Sequence, residues 1–512
     1  MRYLVMSGLV IGGFVGLSRW LRIAQREHYL SGSVTRFALR WWRSSGWNRL
    51  ILVVGISLVV GSWWDALTGL GVAVILVGAP VGLGLRGRTS SLALTRRLRS
   101  LAALTGALLL LGVVIPVLFL PHAGALPFAG AVALASPLLV DLALWIMAPL
   151  ERRLGARYVH QATQRLARVQ PVIVAITGSY GKTSTKGYLA HLLEGRRVVL
   201  ASPRSYNNQA GLARTVNEHL VSGTELLIAE MGTYGPGEIR AMCAWMTPSV
   251  AVITAIGPVH LERFRRLDVT LAAKAEIAER ASSVVLNGED PLLLTLVTPL
   301  RSVGKRVIVC SLTDQNADLA IIASETQLDL YVAGVPAGSV DIPSESAAIA
   351  LSNVACALGA ALAIGEDPAE LLPLFTTLPQ PPNRLVATVG ERGMVILDDT
   401  FNSNPVGARH AISLLAQTGG EGHRRVLVTP GMVELGPLQF AENRQFAAEA
   451  AEICDIIAVV GRTNRRALLA GAYGHAEVRT FPNRETAVAW IRTTLSEGDA
   501  VLYENDLPDH YA

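Results

Sequence analysis

T-G-S-Y-G-K-T-S, residues Thr177–Ser184, stands between the apolar run V-I-V-A-I (Val172–Ile176) and the helix-like stretch Thr185–Glu194. Strand, glycine turn, Lys-Thr and helix, in that order, lay out a phosphate-binding loop. Gly178 and Gly181 let the backbone bend so that N–H groups converge, and the helix N-terminus adds positive potential at the same point. On this reading Thr177, Gly178, Ser179, Tyr180, Gly181, Lys182, Thr183 and Ser184 surround the phosphates of ATP. Lys182 reaches the β- and γ-phosphates, and the Thr183 hydroxyl is a ligand for Mg²⁺. Ile176 stands where the longer G-x-x-x-x-G-K-[ST] pattern has its first glycine, so this is the shorter T-G-x-x-G-K-T-S form.

Working outward, the cations are unevenly chosen. Of 45 Lys plus Arg, only Lys182, Lys186, Lys274 and Lys305 are lysines. A lysine kept in an arginine-rich chain is a candidate for work that a guanidinium cannot do, as a compact point charge or a modifiable amine. The 512 residues provide for about three domains. The four cysteines (Cys243, Cys310, Cys356 and Cys454) have neither metal-ligand nor C-x-x-C spacing, which predicts reduced thiols.

Mean hydropathy is +0.39 and 51% of residues are hydrophobic, with the excess before residue 150. Five apolar runs occur there: Tyr3–Leu17, Leu50–Trp64, Ala66–Leu85, Leu101–Leu120 and Phe128–Leu150. The last three reach the roughly 20 residues that a span requires. Arginines cluster at Arg19–Arg49, at Arg86–Arg99 and at Arg152–Arg157, whereas Trp63–Asp65 and Pro121–Leu126 have no Lys or Arg. Counting positive residues gives five crossings with the N-terminus outside and the rest of the chain in the cytoplasm. The net charge of +5 therefore belongs to membrane flanks and carries no nucleic-acid signal.

From Pro171 the period changes. The apolar segments Val172–Ile176, Val198–Ala201, Leu226–Glu230, Val250–Ile256, Ser283–Leu286 and Arg306–Cys310 alternate with helix-like stretches, which predicts a mostly parallel sheet with helices on both faces. Ligands collect at the carboxyl ends of such strands. Glu230 ends one of them, placed to hold Mg²⁺. His260 follows another, in G-P-V-H-L-E-R-F, and Lys274 lies on a helix in L-A-A-K-A-E-I; read alone, a histidine there is more often structural than a ligand, and the lysine a solvated face residue. A second alternating set, Met394–Asp399, Val426–Thr429, Ile456–Val460 and Ala500–Tyr503, predicts a Rossmann-like C-terminal sheet beyond the proline break Pro379–Asn383. The fold class expected is therefore α/β: residues 1–150 transmembrane helices, 151–170 a linker helix, 171–380 an ATP-binding domain and 383–512 a C-terminal domain.

T-G-S-Y-G-K-T-S-T-K, S-Y-N-N-Q-A-G-L, E-M-G-T-Y-G-P-G-E-I, T-A-I-G-P-V-H-L-E-R-F with A-A-K-A-E-I, and D-D-T-F-N-S-N-P occur in the order found in Mur ligases. From residue 171 to about 500 the chain resembles that family, most of all the branch that adds D-alanyl-D-alanine to a UDP-muramoyl tripeptide. The resemblance implies an ATP-dependent ligase that activates a carboxylate as an acyl phosphate and joins it to an amine. It implies that Thr183 and Glu230 hold one Mg²⁺, that His260 holds a second, and that Lys274 is the lysine the family carbamylates into a metal ligand. Lys182, His260 and Lys274 would then be the catalytic residues. Asn207, Asn208 and Asn404 would face substrate, and Asn353, Arg384, Asp399 and Asn402 the nucleotide.

Three departures accompany the resemblance. Ile349-Ala350 replace the family's His-Asn before Asn353. Glu504-Asn505-Asp506 stand where the branch has Lys-Gly-Ser. Membrane spans take the place of the domain that grips the UDP-sugar. The partners implied are a small-molecule or lipid-linked cell-wall precursor, an amino acid or dipeptide, membrane lipid, and other wall-synthesis proteins. A membrane-bound polyglutamate-type ligase, a transport NTPase and a non-catalytic scaffold remain as alternatives.

Overall fold

β1 (Val172–Thr177) carries the glycine loop, and all but its first residue are buried. A strand that is apolar on both faces belongs inside a parallel sheet covered on both sides. Its side chains alternate accordingly. Val174 and Ile176 pack with Tyr188, Leu189, Val252 and Leu358, while Ile173 and Ala175 pack with Leu212, Leu227, Ile253 and Leu286.

The computed structural model describes residues 1–43, 45–84, 92–203, 206–259, 261–324, 326–341, 350–379, 386–390, 392–400, 403–418, 422–507 and 511. They fall into two compact units, Met1–Leu154 with Leu507–Ala512, and Gly155–Asp506.

In the larger unit, β1 is joined by β2 (Val199–Ala201), β3 (Leu226–Glu230), β4 (Val250–Ile253), β5 (Ser283–Asn287), β6 (Arg306–Ser311), β7 (Leu319–Ala323), β8 (Gln327–Val332) and β9 (Val335–Asp341). The order is β2-β3-β1-β4-β5-β6-β7-β8-β9, parallel up to β7 and antiparallel through β8 and β9. The expected strands are all present. β7 to β9 extend the sheet beyond them, and β8 and β9 join through Ala333-Gly334, both at positive φ (50° and 77°). That two-residue turn matches the twist of its strands.

A second sheet holds β10 (Val386–Val389), β11 (Val395–Asp399), β12 (Arg425–Thr429), β13 (Ile456–Val460), β14 (Glu477–Phe481) and β15 (Ala500–Glu504), in the order β10-β11-β15-β12-β13-β14. Only β10 is antiparallel. This is the expected Rossmann-like sheet with two edge strands added. Register sets the strand exits: Ile176 lies opposite Glu230, Thr177 opposite Ile253, and Asp399 opposite Glu504.

The expected linker is not a separate element. Residues 151–169 are the second half of one 34-residue helix, Ser136–Val169. Arg165 donates to the carbonyls of Asn217 and Leu220 at 2.7 Å each.

The smaller unit is helical, and it corrects the count of crossings. Among the described residues, two helices, Arg2–Arg26 and Arg96–Phe119, are long and apolar enough to cross a membrane, or up to four if each bent pair makes one span. The run Ala66–Leu85 is helical only over the 12 residues Leu67–Gly78. Beyond Gly78 the backbone is irregular, and side chains satisfy it. Arg19, itself buried, donates to the carbonyls of Leu76, Val77, Ala79 and Leu83. Arg22 donates to Gly84 at 2.7 Å, and the Asn48 amide both donates to Val81 O (3.2 Å) and accepts from Val81 N (2.9 Å). Buried carbonyls without donors are costly. Arg19→Met, which keeps the stem and removes the donors, is expected to cost about 2 kcal/mol or more. The check is a lowered unfolding midpoint of the detergent-solubilised protein.

Candidate active site

The loop after β1 is shaped by close approach. Gly181 precedes the helix Lys182–Leu192 with φ 81°, and a Cβ there would stand 2.2 Å from Asn353 Oδ1. A Cβ on Gly178 would stand 2.0 Å from Thr254 Oγ1. Only glycine fits either place. The other side chains of the loop fasten it to neighbouring strands. Thr177 Oγ1 donates to Met231 O (2.7 Å), and Ser179 Oγ exchanges hydrogen bonds with Gly257 (O at 3.2 Å, N at 2.9 Å). The Thr254 hydroxyl donates to Tyr180 O. Burial raises the Tyr180 phenol above its ordinary pKa. Ser184 is buried.

Glu230 is the hub beside the loop. Its Oε2 accepts from the Thr183 hydroxyl at 3.0 Å and from Lys186 Nζ at 2.9 Å, and its Oε1 accepts from Asn207 Nδ2 at 3.3 Å. Burial pushes the carboxyl's pKa up, but the Lys186 ammonium, with Lys182 and the Asn207 amide, outweighs burial and holds it below its usual value. The group is therefore an anion.

Two lysines meet at one carbonyl. Lys182 Nζ donates to Gly178 O at 2.7 Å and to Ser179 O at 3.3 Å, and Lys274 Nζ donates to Gly178 O at 3.0 Å. Burial, with the neighbouring Lys182 charge, drives Lys274 well below the ordinary lysine pKa. Lys274 thus stands at the mouth of the glycine turn as a buried amine that gives up its proton easily.

The other expected residues divide by position. Asn353 abuts Gly181. Asn208 caps the helix Gln209–His219 by accepting from Gly211 N (2.9 Å), and Asn404 caps the helix Pro405–Gln417 by accepting from Gly407 N (3.0 Å). Asp399 is buried at the end of β11. His260, Arg384 and Asn402, most of the proline break, and the Ile349 of the altered His-Asn pair lie outside the described residues. All four cysteines are buried, and burial pushes the Cys243 and Cys454 thiols up to about 12, so neither is a nucleophile.

The sequence reading missed two features. One is the Lys186–Glu230 pair. The other is Glu504, fully buried at the end of β15, which accepts from the Ser403 and Thr429 hydroxyls. Burial pushes its carboxyl up to about 8; the Thr429 hydrogen bond opposes this and the Asp399 charge adds to it.

A phosphate loop fastened to two strand exits, a carboxylate bonded to its threonine, and two lysines on one carbonyl define a nucleotide-dependent enzyme site. Residues 176–364 match the Mur ligase middle domain, and residues 383–503 match the Mur ligase, glutamate ligase domain. The chain is 30% identical over 362 residues to the UDP-N-acetylmuramoyl-tripeptide–D-alanyl-D-alanine ligase of Mycobacterium tuberculosis, covering 64% of this chain and 69% of that protein. With the enzyme of the same name from Escherichia coli it shares 27% over 392 residues, 73% of this chain and 81% of the other.

Among solved structures it resembles MurF from Acinetobacter baumannii (TM-score 0.60, 23% identity, 69% and 77% of the two chains). It also resembles the MurF ligase from Thermotoga maritima in complex with ADP (TM-score 0.58, 23% identity, 69% and 80%). The chain belongs to the Mur ligase family. It is an ATP-dependent ligase that forms carbon–nitrogen bonds.

Glu504 gives a pH prediction. Its folded pKa of about 8 lies above the ordinary 4.5, so between those values the folded chain keeps a proton that the unfolded chain has lost. Stability therefore falls as pH rises through that window. Glu504→Gln carries no such penalty. Its unfolding free energy relative to the parent should rise with pH by about 1 kcal/mol per unit, measured by denaturant titrations from pH 5 to 9.

Proposed function

We propose that this ligase adds an amino acid or D-alanyl-D-alanine to a peptidoglycan precursor presented at the cytoplasmic membrane. The observation that carries the reading is the convergence of Lys182, Lys274 and the Thr183–Glu230 pair at one glycine loop, in a chain whose relatives are named for that reaction.

The chemistry follows from the residues. An oxygen of the substrate carboxylate attacks the γ-phosphorus of ATP, ADP leaves, and an acyl phosphate forms. The amine then attacks the acyl carbon, and phosphate departs with the electron pair of the C–O bond. Lys182, with the N–H groups opening the helix Lys182–Leu192, neutralises charge on the transferred phosphoryl. Asn353, against Gly181, lines the nucleotide side of the loop. Asn207 steadies Glu230, while Asn208 and Asn404 shape the substrate side by fixing the first turns of their helices. Asp399, at the end of β11, serves the nucleotide, and Arg384 and Asn402 are assigned to it with Asp399.

Magnesium fits the donor set at Glu230. Among the described residues no three His, Cys, Asp or Glu side chains gather into a complete cage. Magnesium is commonly held instead by one or two protein oxygens together with phosphates. Glu230 and Thr183 would hold it, with His260 and Lys274 serving a second ion. It would supply charge neutralisation on the phosphate oxygens. Lys274 is suited to carbamylation because only a neutral amine adds to CO₂, and its burial favours that form.

The unit Met1–Leu154 is the anchor. Leu111, Ile115 and Phe119 leave an apolar face exposed on Arg96–Phe119, as a lipid-facing helix would. An anchor at the membrane suits a lipid-linked precursor. The acidic Glu504-Asn505-Asp506 end favours a second reading for the amine, a substrate other than D-alanyl-D-alanine, as in polyglutamate-type ligases.

The detergent-purified protein, given ATP and hydroxylamine with muramoyl tripeptide, its lipid-linked form or polyglutamate, should yield a hydroxamate with a peptidoglycan precursor. ATP turnover that needs no carboxylate would contradict the proposal. Lys182→Ala should lower turnover by about a hundredfold or more. Removing bicarbonate should lower turnover, and the loss should deepen as pH falls and Lys274 gains a proton.

A further inference from the structure

Lys186 is the one lysine near the loop that the reaction above leaves without a task. It lies one helical turn after Lys182 on the same helix and is only 6% exposed. Its Nζ stands 2.9 Å from Glu230 Oε2, the oxygen that also receives the Thr183 hydroxyl at 3.0 Å. The other groups hydrogen-bonded to Glu230 in the structure are neutral, the Asn207 amide on Oε1 and Ser202 Oγ accepting from the backbone N–H at 3.1 Å, while the Lys182 charge acts on it from nearby. The ammonium thus occupies the carboxylate oxygen nearest the threonine that would share a metal with it. A monovalent and a divalent cation on one buried oxygen repel each other strongly.

We propose that Lys186 is a built-in competitor for the metal at Glu230. It neutralises the carboxylate before nucleotide arrives and keeps affinity for bare metal low, so that metal enters together with the nucleotide. The phosphates then contribute negative charge and further oxygen ligands that outweigh the ammonium. Lys186 is a positioning residue acting through Glu230, and its role rests on the reading of Glu230 as a metal ligand.

The test uses the full chain in detergent, with Mn²⁺ as the probe and free Mn²⁺ read by electron paramagnetic resonance, with and without ADP. The parent should bind Mn²⁺ weakly alone and more tightly with ADP. Lys186→Met should bind Mn²⁺ alone about tenfold or more tightly than the parent, and the advantage given by ADP should shrink. A merely structural lysine predicts the reverse, because Glu230 would lose its support. Unchanged or weaker binding in a folded Met variant therefore overturns the proposal.

Lys186→Arg keeps the charge and should keep the parent's weak binding; tight binding by the Arg variant also overturns it. If the Met variant does not fold, the parent itself decides, since equal Mn²⁺ affinity with and without ADP contradicts the competition. Glu230→Gln separates the two levels. Retained ADP-assisted Mn²⁺ binding in that variant would remove the metal reading, whereas its loss beside an unchanged Lys186→Met would remove only the role of Lys186.

Discussion

A buried carboxylate cannot stay charged without partners, and Glu230 has been given them from two parts of the chain. Thr183 and Lys186 come from the helix behind the glycine turn, and Asn207 from the segment after β2. Removing one partner of such a buried pair commonly costs about 3–5 kcal/mol. The same bonds that keep Glu230 anionic therefore hold the loop helix against the end of β3. Stability and chemistry share one contact: what fixes the loop also presents an oxygen-rich anion beside the place where phosphates would lie.

The extent to which this was readable differs by element. β1 to β6 were legible because each is a continuous apolar run between helical segments, as a covered parallel sheet requires. β8 and β9 were not, since they are short antiparallel strands in which polar residues interrupt the apolar ones, joined by a turn of Ala-Gly. β14, E-V-R-T-F, is an exposed edge strand with no core pattern. In the site, the glycine loop, Glu230 and Lys274 were legible from spacing together with resemblance. The pairing of Lys186 was half visible. Its offset from Lys182 puts both on one helix face, but the partner comes from another strand, and only the β1–β3 register brings it near. Glu504 was hidden for the same reason: an acid after an apolar strand reads as solvated until β11 and β12 enclose it. Asn208 and Asn404 had a plainer signal, an Asn three residues before the N–H it caps.

Both ends of the chain hold charged side chains inside the fold. At the C-terminal sheet, Glu504 sits within hydroxyl donors opposite Asp399, and Asp506 is paired with Arg484 at 2.9 Å. At the other end, hydropathy alone overstated the number of crossings, because it cannot see that the helix Leu67–Gly78 stops and that Arg19 supports the backbone beyond it. Arginines counted as loop charges proved to be partly internal. Positive-residue counting treats every arginine as solvated, and in this unit that assumption fails.

The central claim is that the loop of Thr177–Ser184 passes the γ-phosphoryl of ATP to a carboxylate before the amine is joined. Isotope transfer tests it most directly. A peptide precursor whose acceptor carboxylate carries ¹⁸O is turned over with ATP and the amine, and the released phosphate is analysed by mass. Attack by the carboxylate predicts one ¹⁸O in each phosphate formed, carried from the labelled acid as the amide appears. Amide formation with phosphate free of ¹⁸O would mean that no acyl phosphate forms, and the account of this site would be contradicted.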